Sequence, residues 1–249
     1  MSLFDEPQFS ERLFFPRADA SAPPDGAIDD FLVRPDASLH VRWYAGHEDA
    51  RTLLLFHGNG EVVADYDDSA DRFAAVGLRL AVVDYRGYGQ STGTPSLRTA
   101  IDDALAAVAM VHEMAGSPLV VMGRSVGSAC AAEIYARRLP SVAGVVVESG
   151  SSDLGGLVRR RGLTPPGAFT ADDAAAFDPV PKYRRGTQPL LVLHGVDDTM
   201  IAASEAQVTH DAAGTRDKQL VLVPHRGHND LSLSHVYWDA LRVFAASLG

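Results

Sequence analysis

Strand-length apolar runs alternate with helix-like stretches over most of this 249-residue chain. That rhythm predicts an α/β fold, a mostly parallel eight-stranded sheet with helices on both faces. Two further observations point the same way. The last six apolar runs lack the in-out alternation of a half-solvated strand, as central parallel strands covered on both sides do. Three of them lead into turns that carry a serine, then two aspartates, then two histidines, which gathers polar chemistry at the carboxyl edge of a parallel sheet.

Residues 1–26 are rich in Pro and Ala and are expected to be irregular. Residues 31–34 and 39–44 read as a hairpin turning at Pro35-Asp36, and 52–56, 80–84, 119–122, 142–147, 189–193 and 219–223 as the six remaining strands. Between them, Ile101, Leu105, Val108, Val111 and Ala115 recur at helical spacing, as do Leu233, Val236, Tyr237, Ala240, Leu241, Phe244 and Leu248 at the end. Residues 128–138 lack Pro and Gly and read as a helix. The connection 148–187 is too long for an ordinary crossover, and its Gly155-Gly156 and Pro165-Pro166-Gly167 mark it as a short lid-like insertion in a single domain spanning 1–249.

A hydrophobic content of 46% with 22% charged residues is that of a globular protein. No apolar run approaches the ~18 residues of a membrane span. The opening residues mix Asp5, Glu6, Glu11 and Arg12 with single aromatics, unlike a secretory leader, and predict a cytoplasmic protein. The single cysteine, Cys130, excludes an internal disulfide and reads as a small core residue. A net charge of −10 argues against nucleic acid as a partner. Against that acidity, Arg159-Arg160-Arg161 and Lys182, Arg184 and Arg185 are local concentrations of positive charge.

The pattern G-x-S-x-G occurs twice. Gly89-Gln90-Ser91-Thr92-Gly93 sits in a glycine-punctuated stretch before Pro95, so Ser91 is a loop serine. Gly123-Arg124-Ser125-Val126-Gly127 instead joins a buried strand to a helix, the sharp turn that lifts a hydroxyl clear of the backbone, and Ser125 is the candidate nucleophile. Such a serine needs a base and a carboxylate to orient that base. Asp197 and Asp198 follow one strand, and His225 and His228 follow the next. His228 follows a glycine in a flexible loop and is the candidate base, with Asn229-Asp230 as caps for the last helix; His225 abuts the strand and reads as structural. The pair His225-x-x-His228 has no third ligand, so no metal site is expected.

Together with Phe56-His57-Gly58-Asn59-Gly60, Asp84-Tyr85-Arg86-Gly87-Tyr88-Gly89-Gln90-Ser91 and the His194-Gly195 and Gly227-His228 turns, these motifs resemble the α/β-hydrolase superfamily, in its Bem46-like, esterase-like branch. The resemblance runs from Thr52 onward. It implies the α/β-hydrolase fold and ester hydrolysis through an acyl-enzyme, with Ser125, His228 and, by the spacing HG-x-x-D, Asp198 as catalytic residues. Glu148 and Asp153 stand as alternative positions for the acid. It further implies an oxyanion hole from the backbone N–H groups of Asn59 and Val126, with Gly60 allowing close approach, and no cofactor. Arg124, at the variable position before the nucleophile, faces either the pocket mouth as a substrate contact or the surface. His57 and His194 order their turns. The substrate is a small molecule or an acylated one; thioester cleavage, protein deacylation, peptide cleavage and non-catalytic binding are the alternatives. The arginine run is either a solvated basic face or an attractor of an anionic substrate group.

Overall fold

The computed structural model describes residues 4, 6–47, 49–163 and 170–248. Eight strands form one sheet: β1 (Ile28–Arg34), β2 (Ala37–Trp43), β3 (Arg51–Phe56), β4 (Leu78–Val83), β5 (Leu119–Arg124), β6 (Val142–Glu148), β7 (Leu190–Gly195) and β8 (Lys218–Val223). Their order is β1-β2-β4-β3-β5-β6-β7-β8. β1 and β2 form the expected antiparallel hairpin, β2 pairs antiparallel with β4, and every other pairing is parallel. The order reverses at β3: the chain leaves it towards β4 and returns on its other side at β5. Such a switch point opens a crevice at the carboxyl ends of the two strands, where α/β proteins bind their ligands.

The apolar runs divide their residues between two cores by strand alternation. Leu54, Phe56, Val121, Val145, Val147 and Val192 face the core under α3 (Leu97–Ala115) and α4 (Ser128–Arg137). Leu53, Leu55, Val120, Met122, Val146 and Leu193 face the opposite core under α2 (Ala70–Ala75) and the last helix (His235–Ser247). Each such side chain contributes about 1.5–3 kcal/mol of burial. β8 departs from the expectation of full burial because it is an edge strand, and Leu222 on it is 42% exposed.

Three features differ from the sequence expectation. Residues 1–26 include a helix, α1 (Pro7–Leu13), whose Phe9 and Leu13 enter the first core together with Phe4 and Phe14. Among the described residues, the insertion between β6 and β7 carries three short helices, α5 (Leu154–Arg160), α6 (Ala171–Phe177) and α7 (Pro179–Arg185); its Pro165-Pro166-Gly167 lies outside them. The last helix is capped by Ser234, whose side chain accepts from the Val236 N–H, not by Asn229 or Asp230; Leu233 precedes it and is 65% exposed. No described helix is long and apolar enough to cross a membrane.

Candidate active site

β5 runs straight into a single tight turn, and Ser125 takes φ +51°, a left-handed conformation that a non-glycine residue holds only under constraint from its surroundings. The flanking glycines make the turn possible. A Cβ on Gly127 would be driven into the Phe56 carbonyl and would stand 2.9 Å from the Tyr85 hydroxyl, while one on Gly123 would lie 2.7 Å from Ala131 Cβ. The first turn of α4 therefore packs directly onto β3 and β5, and Ser125 stands at the crevice.

The Ser125 hydroxyl meets His228, with Oγ 2.9 Å from Nε2, and His228 Nδ1 lies 2.7 Å from Asp198 Oδ2. Asp198 sits in the turn after β7, where its Oδ1 accepts the Met200 and Ile201 N–H groups at 2.8 and 2.9 Å. Its Oδ2 also lies 3.1 Å from His194 Nε2, which donates to the Ile201 carbonyl at 2.8 Å. Burial favours the neutral acid, but hydrogen bonds from His194, His228 and Ile201 outweigh it and hold the Asp198 carboxyl well below the usual range. An ionised Asp198 accepts from Nδ1–H of His228, which leaves Nε2 as the acceptor facing the serine hydroxyl.

Two loops from different strands must approach closely for this alignment. Gly195 provides the room: a Cβ there would strike the Arg226 carbonyl and lie 2.5 Å from that of Gly227. Val196 N–H donates to Val223 O at 3.0 Å and Asp197 N–H to Arg226 O at 2.9 Å, clasping the loops together. Asp230 accepts the Gly227 N–H at 2.7 Å and so shapes the histidine loop instead of capping a helix.

Arg124 is not at the pocket mouth, nor on the surface. It is 9% exposed and its guanidinium joins a buried cluster at the end of β5. Nε donates to Glu148 at 3.1 Å, Nη1 to Glu61, and Nη2 to Asn229 Oδ1 at 2.9 Å and to the His228 carbonyl at 3.3 Å. Glu148 also accepts from the Tyr237 hydroxyl at 2.8 Å, and Glu61 from Tyr66 and from the Gly58 N–H at 2.8 and 2.7 Å. Burial pushes the Glu148 carboxyl up, with Arg124 opposing. For Glu61 burial acts in the same sense, but Arg124 and His57 prevail and its pKa is lowered. One side chain thus braces both the loop after β3 and the loop that carries His228.

The loop after β3 holds Asn59 and Gly60, the latter at φ +79°. The Asn59 side chain is engaged: Nδ2 donates to the Leu13 carbonyl at 2.7 Å, and Oδ1 accepts from Phe15 N–H at 2.9 Å and the Tyr88 hydroxyl at 2.7 Å. It fastens the N-terminal segment to this loop. His57 is fully buried and donates from Nδ1 to Gly58 O at 2.8 Å, and Asp84 accepts from Val63 N–H at 2.9 Å and stands 3.1 Å from His40 Nδ1.

A cavity of about 300 Å³ opens beside Ser125, Val126 and His228. Leu154 and Leu157 of α5, Phe177 of α6 and Pro179 of α7 line it, with Met200 and Ile201 from the acid loop. Neither Gly60 nor Arg124, expected near substrate, is on its wall. The alternative acids make other contacts: Asp197 is exposed, Glu148 is bound to Arg124 and Tyr237, and Asp153, on the cavity wall, pairs with Arg159. His225 is an exposed turn residue at φ +56°. Lys182, counted with a basic cluster, is 1% exposed and pairs with Glu133 at 2.8 Å. Sequence reasoning missed Glu61 and Asn229; the signal for the cluster was a charged residue ending each of two adjacent apolar strands, Arg124 and Glu148.

The serine aminopeptidase S33 family model matches residues 47–160. The α/β-hydrolase domain-containing protein aho-3 of Caenorhabditis elegans is 30% identical over 220 residues, covering 86% of this chain and 60% of that protein. Bem46 of Schizosaccharomyces pombe is 24% identical over 208 residues, 80% of this chain and 68% of Bem46. The chain therefore spans only part of the length of these curated relatives. Among solved structures, the Pyrococcus furiosus esterase Pf2001 aligns with a TM-score of 0.76 at 16% identity, over 95% of this chain and 100% of that one. Est1E of Butyrivibrio proteoclasticus, solved with ferulic acid, aligns at 0.71 and 14%, over 88% and 98%. Sheet order and solved structures agree that the chain has the α/β-hydrolase fold, and its sequence is similar to Bem46 and aho-3.

Proposed function

We propose that this chain is a serine hydrolase that cleaves carboxylic esters through an acyl-enzyme. The observation that carries the reading is the unbroken line from Ser125 Oγ through His228 to Asp198, at 2.9 and 2.7 Å, beside a largely apolar cavity. Ser125 Oγ attacks the ester carbonyl carbon as its proton passes to His228 Nε2. The oxyanion is held by the backbone N–H groups of Val126 and Asn59, each such donor being worth about 2.7–4 kcal/mol. His228 then protonates the departing alkoxide as the C–O bond breaks, and the same residue activates water to hydrolyse the acyl-serine. Asp198, kept ionised by its four hydrogen-bonding neighbours, holds His228 in the required tautomer and stabilises its cationic form. Helices α5 to α7 cover the acyl pocket as a lid.

The matching family's description raises peptide cleavage as a second reading. An aminopeptidase must hold a substrate ammonium with carboxylates; among the described residues this cavity presents one carboxylate, Asp153, which is paired with Arg159, and one cation without an ion pair, Arg161. The charge favours esters. Labelling with a fluorophosphonate probe, together with hydrolysis of 4-nitrophenyl butyrate, tests the proposal: both are expected in the wild type and absent in Ser125→Ala. Labelling that persists in that variant sinks the nucleophile assignment.

A further inference from the structure

Of the three consecutive arginines at the end of α5, two are spoken for. Arg159 pairs with Asp153 at 2.9 Å; Arg160 pairs with Glu205 at 2.8 Å and donates to Ser151 Oγ at 2.6 Å. Arg161 differs. It lines the cavity that holds Ser125 and His228, yet among the described residues it has no ion pair and no hydrogen bond, and its Nε is buried without an acceptor. The Phe15 ring lies 5.6 Å from its guanidinium carbon, and Tyr88 is close enough to act on its charge.

A guanidinium removed from water and left without an anion is costly, and the cost falls when a ligand brings the missing charge. Burial and the like charge of Arg160 both press the Arg161 pKa below its ordinary value, the sign of an unanswered cation. The acidic side chains near it are already committed, Asp153 to Arg159 and Glu205 to Arg160. The same cavity thus holds the nucleophile, apolar side chains and a guanidinium without an ion pair among the described residues.

We infer that Arg161 is an anion-binding subsite, and that the favoured substrates are small esters whose acyl part ends in a carboxylate or phosphate-like group. The inference rests on the ester-hydrolase reading and names its substrate class. Arg supplies a planar fork that either oxyanion can engage with two hydrogen bonds.

Three 4-nitrophenyl esters with one leaving group and matched chain length test it: pentanoate, glutarate and 4-phosphonobutanoate. The wild type is expected to show at least a tenfold higher kcat/KM on an anionic ester than on pentanoate, expressed mainly in KM, with the carboxylate and phosphonate arms showing which anion fits. In Arg161→Gln the anionic-to-neutral ratio falls at least tenfold, Arg161→Lys restores part of it, and Arg159→Gln leaves it unchanged. Equal ratios in wild type and Arg161→Gln overturn the inference. Calorimetric titration of free glutarate and free 4-phosphonobutanoate into the same variants is independent of turnover. Binding lost in Arg161→Gln supports the subsite even if no ester is cleaved, and binding of neither anion to the wild type refutes it.

Discussion

Replacing Arg124 by Met removes the one cation from a site that holds two carboxylates, Glu61 and Glu148, and withdraws the donor from the His228 carbonyl. Breaking a buried ion pair from one side costs about 3–5 kcal/mol, because the partner charge remains buried. At about 2–4 °C per kcal/mol for a domain of this size, the melting temperature should fall by roughly 6–20 °C. The loss should depend on pH with a definite sign. Removing Arg124 takes away the largest cause that lowers both carboxyls, so Glu148, already driven upward by burial, rises further and Glu61 rises with it. The folded protein then binds more protons than the unfolded one above the ordinary 4.5 of a glutamate, so stability declines as pH rises. Thermal unfolding of wild type and Arg124→Met at pH 5 and pH 8 should show a larger gap at pH 8. Adding Glu61→Gln and Glu148→Gln removes the orphaned charges and should recover most of the melting temperature while kcat stays low, since His228 still lacks its brace. A gap equal at both pH values, with no recovery in the triple variant, would refute the electrostatic account and leave lost packing as the cause.

Other perturbations have equally definite outcomes. Asp198→Asn removes the group that fixes the His228 tautomer and should lower kcat by roughly 10⁴ on 4-nitrophenyl esters. Because the Asp198 carboxyl is depressed from its ordinary 3.8, the stability it contributes is full above that pH and is lost as pH falls below it, so acid unfolding curves of wild type and Asp198→Asn should converge at low pH. Gly127→Ala forces a methyl into the Phe56 carbonyl and should destabilise by at least the roughly 1–3 kcal/mol of an overpacked core, measured by urea unfolding. Asn59→Ala releases Leu13, Phe15 and Tyr88, and should expose Arg12 and Arg17 to faster tryptic cleavage.

The sheet and its carboxyl-edge chemistry were legible because strand, glycine and polar residue lie next to one another in the chain. The run ending at Met122 continues as strand to Arg124, and the histidine and aspartate each follow their strand within five residues. What escaped reading depends on contacts far apart in sequence. α1 lay hidden in a Pro- and Ala-rich stretch, although Pro7 at its first turn and Phe9 and Leu13 at i, i+4 were its signature. α7 carried the same kind of signal, an Asp178 cap followed by Pro179, inside an insertion whose glycines suggested loop. Asn229-Asp230 had the composition of a helix cap, but their side chains serve Arg124 and Gly227 instead.

Position 124 shows why a five-residue pattern leaves its second place open and yet this chain fills it with arginine. The parallel register sets Arg124 beside Glu148, so the two side chains emerge together at the carboxyl edge of β5 and β6. Four acceptors surround that point: two carboxylates, an amide oxygen and the His228 carbonyl. A guanidinium serves them from three nitrogens spread in one plane, whereas an ammonium offers its protons from a single atom and cannot span them. Arg124→Lys should therefore retain the charge balance and most of the melting temperature, while kcat falls because the histidine loop loses its hold. A lysine variant with full kcat would show that Arg124 contributes only charge, and that the position of His228 is set by the Gly195 clasp alone.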